Sequence, residues 1–326
     1  MDERRLGSTG HSITEVGLGT WQIGGDWGEV PAATGREVVR AALDAGVTFL
    51  DTADVYGDGR SESLIADVLA DHDADPVVAT KAGRRLDPHR AADYDLPHLR
   101  EFVDRSRENL DAETLDLLQL HCPPTDAYYQ PETFDALETL VDEDRVAHYG
   151  VSVERVEEGL KAIEYDGVES VQIIFNPFRQ RPAEHFLARA SEADVGVIVR
   201  VPYASGLLTG ALSADDEFPE DDHRNFNRDG EAFDVGETFA GVPFDVGLEA
   251  VDELHARAGV DDLAAFTLRW ILDHDAVTTV IPGTTTPAHV RSNVAAADRP
   301  APTDEERAAV ADVYDEFVRE HVHHRW

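Results

Sequence analysis

Asp51, Tyr56, Lys81 and His121 are the residues of this 326-residue sequence whose types and spacing suit chemistry. Asp51, Lys81 and His121 each end a short apolar run that reads as a β-strand, and Tyr56 lies in the loop just after Asp51. A phenol titrates near about 10, so it acts as an acid near neutral pH only if a neighbouring ammonium favours the phenolate. Lys81 is expected to take that role, with Asp51 as the counter-charge that keeps a buried lysine protonated. His121 would direct a ring nitrogen at a carbonyl oxygen, orienting and polarising it. Together the four would stabilise negative charge developing on oxygen while a hydride adds to carbon. Side chains carry no hydride, so a cofactor is required.

For these groups to meet, the strands that carry them must share one rim. Strand-like runs recur at Val16–Leu18, Thr48–Asp51, Val77–Lys81, Leu115–His121, Ala147–Val151, Val171–Ile174, Gly196–Arg200 and Val277–Ile281, with helix-period segments between them. Val38, Val39, Ala42 and Leu43 mark one helix that Gly46 ends; Leu99, Phe102, Val103 and Leu110 mark a second, and Leu263, Phe266, Thr267 and Trp270 a third. Strand and helix in alternation, without a linker-like tract, predict an α/β fold: a (β/α)8 TIM barrel, with residues 1–326 as one domain. The carboxyl ends of its strands form the mouth where chemistry is done. Two segments fall outside the repeat. Arg5–Ile13 surrounds a Gly-containing turn with apolar flanks and predicts an N-terminal β-hairpin plugging the barrel bottom. Tyr203–Val246 is a long connection after the seventh strand, of a length that marks a functional loop.

Four separated motifs then carry a family resemblance: GLGTWQIGG from Gly17, FLDTADVYG from Phe49, ATKAG from Ala79 and LQLHCPPT from Leu118. In this order and spacing they resemble the aldo-keto reductases over about Leu6 to Asn293. The resemblance implies a catalytic set of Asp51, Tyr56, Lys81 and His121, and a nicotinamide cofactor extended across the mouth. It implies cofactor contacts from Thr20, Trp21 and Asp51. GVSVE from Gly150 matches the family's carboxamide-binding segment at Ser152, with Val153 where the family has Asn, and Gln172 matches a second carboxamide contact. RVPYASGLLTG implies that Arg200 stacks on the nicotinamide and that Pro202, Ser205, Gly206 and Leu207 belong to the loop over the pyrophosphate. IPGTTTPAHVRSN is similar to the adenosine-end signature, with Gly283, Thr284, Thr285 and His289 near the ribose and Asn293 on the adenine. NADP is the favoured cofactor and NAD the alternative, because hydroxyls and amides at a helix start bind phosphate where relatives use basic side chains.

The expected reaction is hydride transfer between NAD(P)(H) and a small carbonyl or alcohol, such as an aldehyde, ketone or aldose. Trp21, Trp27, Tyr56 and His121 are the expected substrate pocket, and Trp27 and Tyr128 lie in loops expected to border the mouth. Arg224 and Arg228, inside the long connection, are candidate phosphate contacts in a cover over the cofactor. Because the family also includes accessory subunits of potassium channels, the alternative is a nicotinamide-binding regulatory subunit of a membrane channel with little turnover. The sequence carries no resemblance to an added docking segment, and the intact set of four favours an enzyme. A barrel with unrelated lyase or isomerase chemistry is a third possibility, supported only by fold analogy.

Competing motifs fall away on their chemistry. The run Gly17-Leu18-Gly19-Thr20-Trp21-Gln22 fails the dinucleotide fingerprint at its sixth position, where Gln22 stands for glycine. Cys122 is the sole cysteine, which excludes an internal disulfide and a cysteine-based zinc site, and is read as a small barrel residue. His321, His323 and His324 lack partners at ligand spacing, so no metal is expected. The formal charge of −38, from 66 acids against 28 bases, argues against nucleic acid. With only Lys81 and Lys161 as lysines, it resembles adaptation to a high-salt cytoplasm. No apolar run reaches the roughly 20 residues a membrane span needs, and the amino terminus lacks a secretory pattern, so a cytoplasmic location is expected.

Overall fold

The computed structural model describes residues 1–25 and 27–326. Strands β1 (Glu3–Arg5) and β2 (Ser12–Thr14) pair antiparallel as the predicted hairpin. Its apolar residues Leu6 and Ile13 are fully buried and join Phe49, Ala79, Leu117, Ile198 and Ile281 in one cluster, so the hairpin does plug the bottom of the barrel. Arg4 ties it there by donating to the carbonyls of Val277 at 2.6 Å and Leu272 at 2.8 Å.

The barrel strands are β3 (Leu18–Gly19), β4 (Phe49–Asp51), β5 (Val77–Ala82), β6 (Leu115–His121), β7 (Val146–Ser152), β8 (Val168–Ile174), β9 (Gly196–Arg200) and β10 (Val277–Val280). They pair in parallel in sequence order, and the bridges Val16–Val280 and Gly19–Gly283 close β10 back onto β3. The fold class read from the sequence is therefore the one observed. Six strands match the expected bounds to within one residue, and two differ by more. The first strand is centred one residue later, with Val16 contributing a single bridge to β10. β8 begins three residues earlier than its apolar run, because Glu169, at its outer end, pairs with His148 at 2.7 Å and needs no apolar side chain.

Several helices begin where an aspartate side chain satisfies an open backbone amide. Asp95 accepts from His98 N at 3.1 Å at the start of Leu96–Leu110, and Asp262 accepts from Ala265 N at 3.0 Å at the start of Leu263–Leu272. Each such cap stabilises by about 1 kcal/mol. The helix Ala32–Asp44 buries Val38, Val39, Ala42 and Leu43 against the barrel wall as its spacing predicts. No described helix is long and apolar enough to cross a membrane.

Period-2 alternation along the strands builds the site. Phe49, Ala79, Leu117 and Ile198 point inward in the apolar floor, so the residues two further on, Asp51, Lys81, Gln119 and Arg200, point inward at the top. His121 lies two beyond Gln119, in register with Ser152, and Ser152 in register with Gln172. The long connection after β9 folds into short turns, Ala204–Thr209, His223–Phe226, Val235–Glu237 and Phe239–Gly241, before the helix Phe244–Ala258.

Candidate active site

The four residues predicted for chemistry meet at the upper rim. Lys81 is 1% exposed and Asp51 2%, and Lys81 Nζ donates to Asp51 Oδ1 at 2.5 Å and to the Thr52 carbonyl at 2.8 Å. Its third donor reaches Tyr56 OH at 3.4 Å. The rings of Tyr56 and His121 meet edge to face, 5.9 Å apart. Asp51 Oδ2 accepts from Gln172 Nε2 at 2.7 Å and Gln119 Nε2 at 3.1 Å, so both oxygens of this buried carboxylate are bonded. Gln119 was not singled out from the sequence; its place two residues before His121 on one strand was the available signal.

The Tyr56 loop is locked from beneath. Thr20 Oγ1 donates to the Asp51 carbonyl at 2.8 Å, Ser61 Oγ to Thr20 Oγ1 at 2.7 Å, and Thr52 Oγ1 to Ser61 Oγ at 2.8 Å. Gly57, at φ +62, presses on the Gly24 carbonyl where a Cβ has no room.

The electrostatics correct one expectation. Burial, reinforced by Asp51 and Glu237, raises the Tyr56 phenol well above its usual value of 10.0, against the opposing charges of Arg84 and Arg200. Lys81 Nζ lies closer to Asp51 than to the phenol, so the ammonium is paired with a carboxylate where it meets Tyr56. Burial also lowers Lys81, with Asp51 opposing the loss of its proton. Burial, then Arg84 and Lys81, push His121 well below 6.5, so its ring is neutral. At neutral pH the site thus presents a protonated phenol and a neutral imidazole.

A continuous cavity of about 500 Å³ runs from Tyr56 and His121 to Asn293. Thr20, Trp21, Trp27, Asp51, Ser152, Gln172, Arg200, Pro202, Ser205, Gly206, Gly283, Thr284, Thr285 and His289 all line it. Lys81 lies beneath its floor. Leu207 does not line it: its side chain is buried against Gly247, because this turn faces the helix Phe244–Ala258. Tyr128 packs instead of shaping the pocket, lying fully buried behind the rim with its hydroxyl on the Ser152 carbonyl at 3.3 Å. Arg200 packs among Glu154, Glu237 and the Val153 carbonyl at the edge of the cavity. Gln172 holds Asp51 and accepts from Ser152 Oγ at 3.4 Å. Arg224 reaches the cavity with its guanidinium bonded to both oxygens of Asp222, at 3.0 and 2.7 Å, whereas Arg228 stays outside it and donates to the Arg224 carbonyl.

The long connection adds residues that carried no motif. His223 lies against Trp21 and Trp27, ring centroids 4.7 and 4.4 Å away, and Phe233 lies 5.9 Å from Trp21. Trp21 stacks on Tyr56 at 6.2 Å, which gives the reacting end an aromatic wall. At the other end Tyr203 OH donates to Asn293 Oδ1 at 2.7 Å.

Asp54, inside the same motif as Asp51, is 0% exposed, and neither of its carboxyl oxygens has a hydrogen-bond partner among the described residues. Burial, with Glu62 nearby, pushes it up to about 7. A carboxyl raised above its ordinary value contributes stability that is complete below about pH 4 and is lost as pH rises through about 7. Asp54→Asn is therefore expected to stabilise the fold at pH 8 by roughly 2–4 kcal/mol and to flatten its pH dependence. Denaturant unfolding of both proteins across this range checks it; parallel pH profiles would disprove it.

A family model described as "Aldo/keto reductase family" matches residues 15–315. The chain belongs to the aldo/keto reductase family. It is thereby an NAD(P)-dependent oxidoreductase whose family acts on small carbonyl compounds. It is 29% identical over 314 residues to the oxidoreductase YqkF of Bacillus subtilis (strain 168), covering 95% of each protein. Among solved structures it resembles the glycerol dehydrogenase AKR11B4 from Gluconobacter oxydans, at 29% identity and a TM-score of 0.77, over 98% of this chain and 96% of that one. It is also 25% identical to a probable voltage-gated potassium channel β subunit of Arabidopsis thaliana, over 91% of this chain and 92% of that protein.

Proposed function

We propose that this aldo-keto reductase, one barrel domain, reduces a small aldehyde, ketone or aldose with NADP in preference to NAD. The observation that carries the reading is the contact of Tyr56 OH with Lys81 Nζ, itself fixed by Asp51, on a cavity that runs on from Tyr56 to Asn293. The lining suits that group. Ser152, Gln172 and Arg200 surround the reacting end, the Ser205–Gly206 turn crosses the middle, and Thr284, Thr285, His289 and Asn293 gather at the start of the helix Pro287–Ala296. The hydroxyls there and the helix amino terminus would take the 2′-phosphate that distinguishes NADP. When bound, the nicotinamide supplies the hydride.

The chain's own residues do the rest. His121, neutral, orients the substrate carbonyl and donates to its oxygen. Tyr56 gives its proton to that oxygen as negative charge develops there, and its elevated pKa keeps the proton in place until then. Lys81 stabilises the phenolate left behind, and Asp51, Gln119 and Gln172 hold Lys81 in position. Trp21, Trp27, His223 and Phe233 exclude water from the reacting end.

Loss of NADPH absorbance with a panel of small aldehydes, ketones and aldoses tests this reading. Turnover supports it. Tight dinucleotide binding without turnover of any carbonyl would favour a regulatory subunit. The −38 charge adds a condition, because surface repulsion must be screened by bulk ions. Activity and near-UV circular dichroism are expected in molar salt and to fall together on dialysis to low salt. Full stability after dialysis would refute the salt-adapted reading.

A further inference from the structure

The reacting end holds more charge than proton transfer requires. Arg84 follows β5, Glu154 follows β7, Arg200 ends β9, and Glu237 comes from the long connection; the four form a closed ring. Arg84 bonds Glu154 at 3.2 Å and Glu237, and Arg200 bonds Glu154 at 3.0 Å and approaches Glu237 at 3.5 Å. Arg200 and Glu237 are 8% and 4% exposed, and both line the cavity with Tyr56 and His121. Burial opposes the charge on Glu237, but Arg84 and Arg200 outweigh it and hold its carboxyl well below the usual range. Burial pushes Glu154 up to about 8, against Arg200 and with Glu237.

Glu237 is held in place by its own turn. Ser205 Oγ donates to the Glu237 carbonyl at 3.2 Å and accepts from Phe239 N at 3.1 Å. Trp326 Nε1 donates to Asp234 Oδ1 at 2.9 Å, Arg179 donates to the Ala240 carbonyl at 2.9 Å, and the Arg179 guanidinium lies 4.0 Å from the Trp326 ring centre. The other cations nearby are cancelled as well, Lys81 by Asp51 and Arg224 by Asp222. Without Glu237, two guanidinium groups would share Glu154 and leave positive charge on the cavity wall beside Tyr56.

We propose that Glu237 is a specificity-determining residue which, together with Glu154, cancels the guanidinium charge of Arg84 and Arg200 so that the site accepts neutral carbonyl compounds and turns away carboxylated ones. This rests on the carbonyl-reducing reading of the same site. The test compares benzoate with benzamide, ligands of one shape and different charge, on protein saturated with NADP or NAD at about pH 9, where Glu154 is ionised. Quenching of Trp21 and Trp27 reports binding. Glu237→Gln is expected to shift the ratio of the two dissociation constants about tenfold towards benzoate. The charge-balanced double variant Arg84→Gln, Glu237→Gln is expected to return it to within about twofold of the wild-type ratio. Arg84→Gln alone, which leaves carboxylate in excess, is expected to move the ratio the other way, and it carries the test if Glu237→Gln does not fold. A ratio unmoved by either single variant, no benzoate binding by folded Glu237→Gln, or the same shift in the double variant would overturn the proposal. Failure of both dinucleotides to bind would overturn the carbonyl-reducing reading with it; binding with an unchanged ratio would overturn this proposal alone.

Discussion

Tyr56→Phe is expected to lower turnover by about 10²–10⁴-fold while the dissociation constant for NADPH stays within about twofold. The substitution removes one oxygen, and with it the hydroxyl that contacts both the cavity and Lys81. The ring remains, stacked on Trp21 and set against His121, so the cavity keeps its shape. A loss confined to kcat is the signature of a group that acts as charge develops. The check is paired: steady-state NADPH oxidation, and NADPH titration by tryptophan fluorescence. Undiminished turnover would remove Tyr56 from the mechanism, and loss of binding would recast it as a cofactor contact.

Lys81→Met is expected to destabilise the fold by about 3–5 kcal/mol as well as to abolish turnover. The Lys81–Asp51 pair is almost wholly buried, and removing the ammonium leaves a carboxylate with only the two glutamine amides to replace water. Asp51→Asn in the same chain removes the orphaned charge, so the double variant should recover most of the lost stability without activity. Denaturant unfolding in molar salt measures both. If the single variant were as stable as wild type, the pair would not be the fixed buried element on which Tyr56 depends.

The barrel was legible because each strand is a short apolar run between helix-period segments, and a closed parallel sheet buries both faces of its strands. Asp51, Lys81 and His121 could be read as one group because each ends such a run, and strand ends on one rim converge. The groups around them were harder to see. Gln119 is a polar residue inside a strand, and its worth depends on facing Asp51 across the barrel, a contact 68 residues apart. Glu237, His223 and Phe233 arrive from a connection with no periodicity, and only the folded turns around Ser205 and Trp326 bring them to the mouth. Arg84 and Glu154 stood inside or beside recognised motifs, yet their pairing with Glu237 and Arg200 is set by loop geometry. The direction of the Tyr56 shift is not legible for a related reason: residue types give charges, but burial, reinforced by Asp51 and Glu237, outweighs them at the phenol.

The cavity between Tyr56 and Asn293 is expected to take a nicotinamide dinucleotide. Titration of the purified protein with NADPH and NADH in molar salt, followed by the fluorescence of Trp21 and Trp27 on its wall, tests it most directly. Saturable quenching by both, tighter for NADPH, is the result expected. A folded protein whose fluorescence neither nucleotide changes would contradict the account at its root.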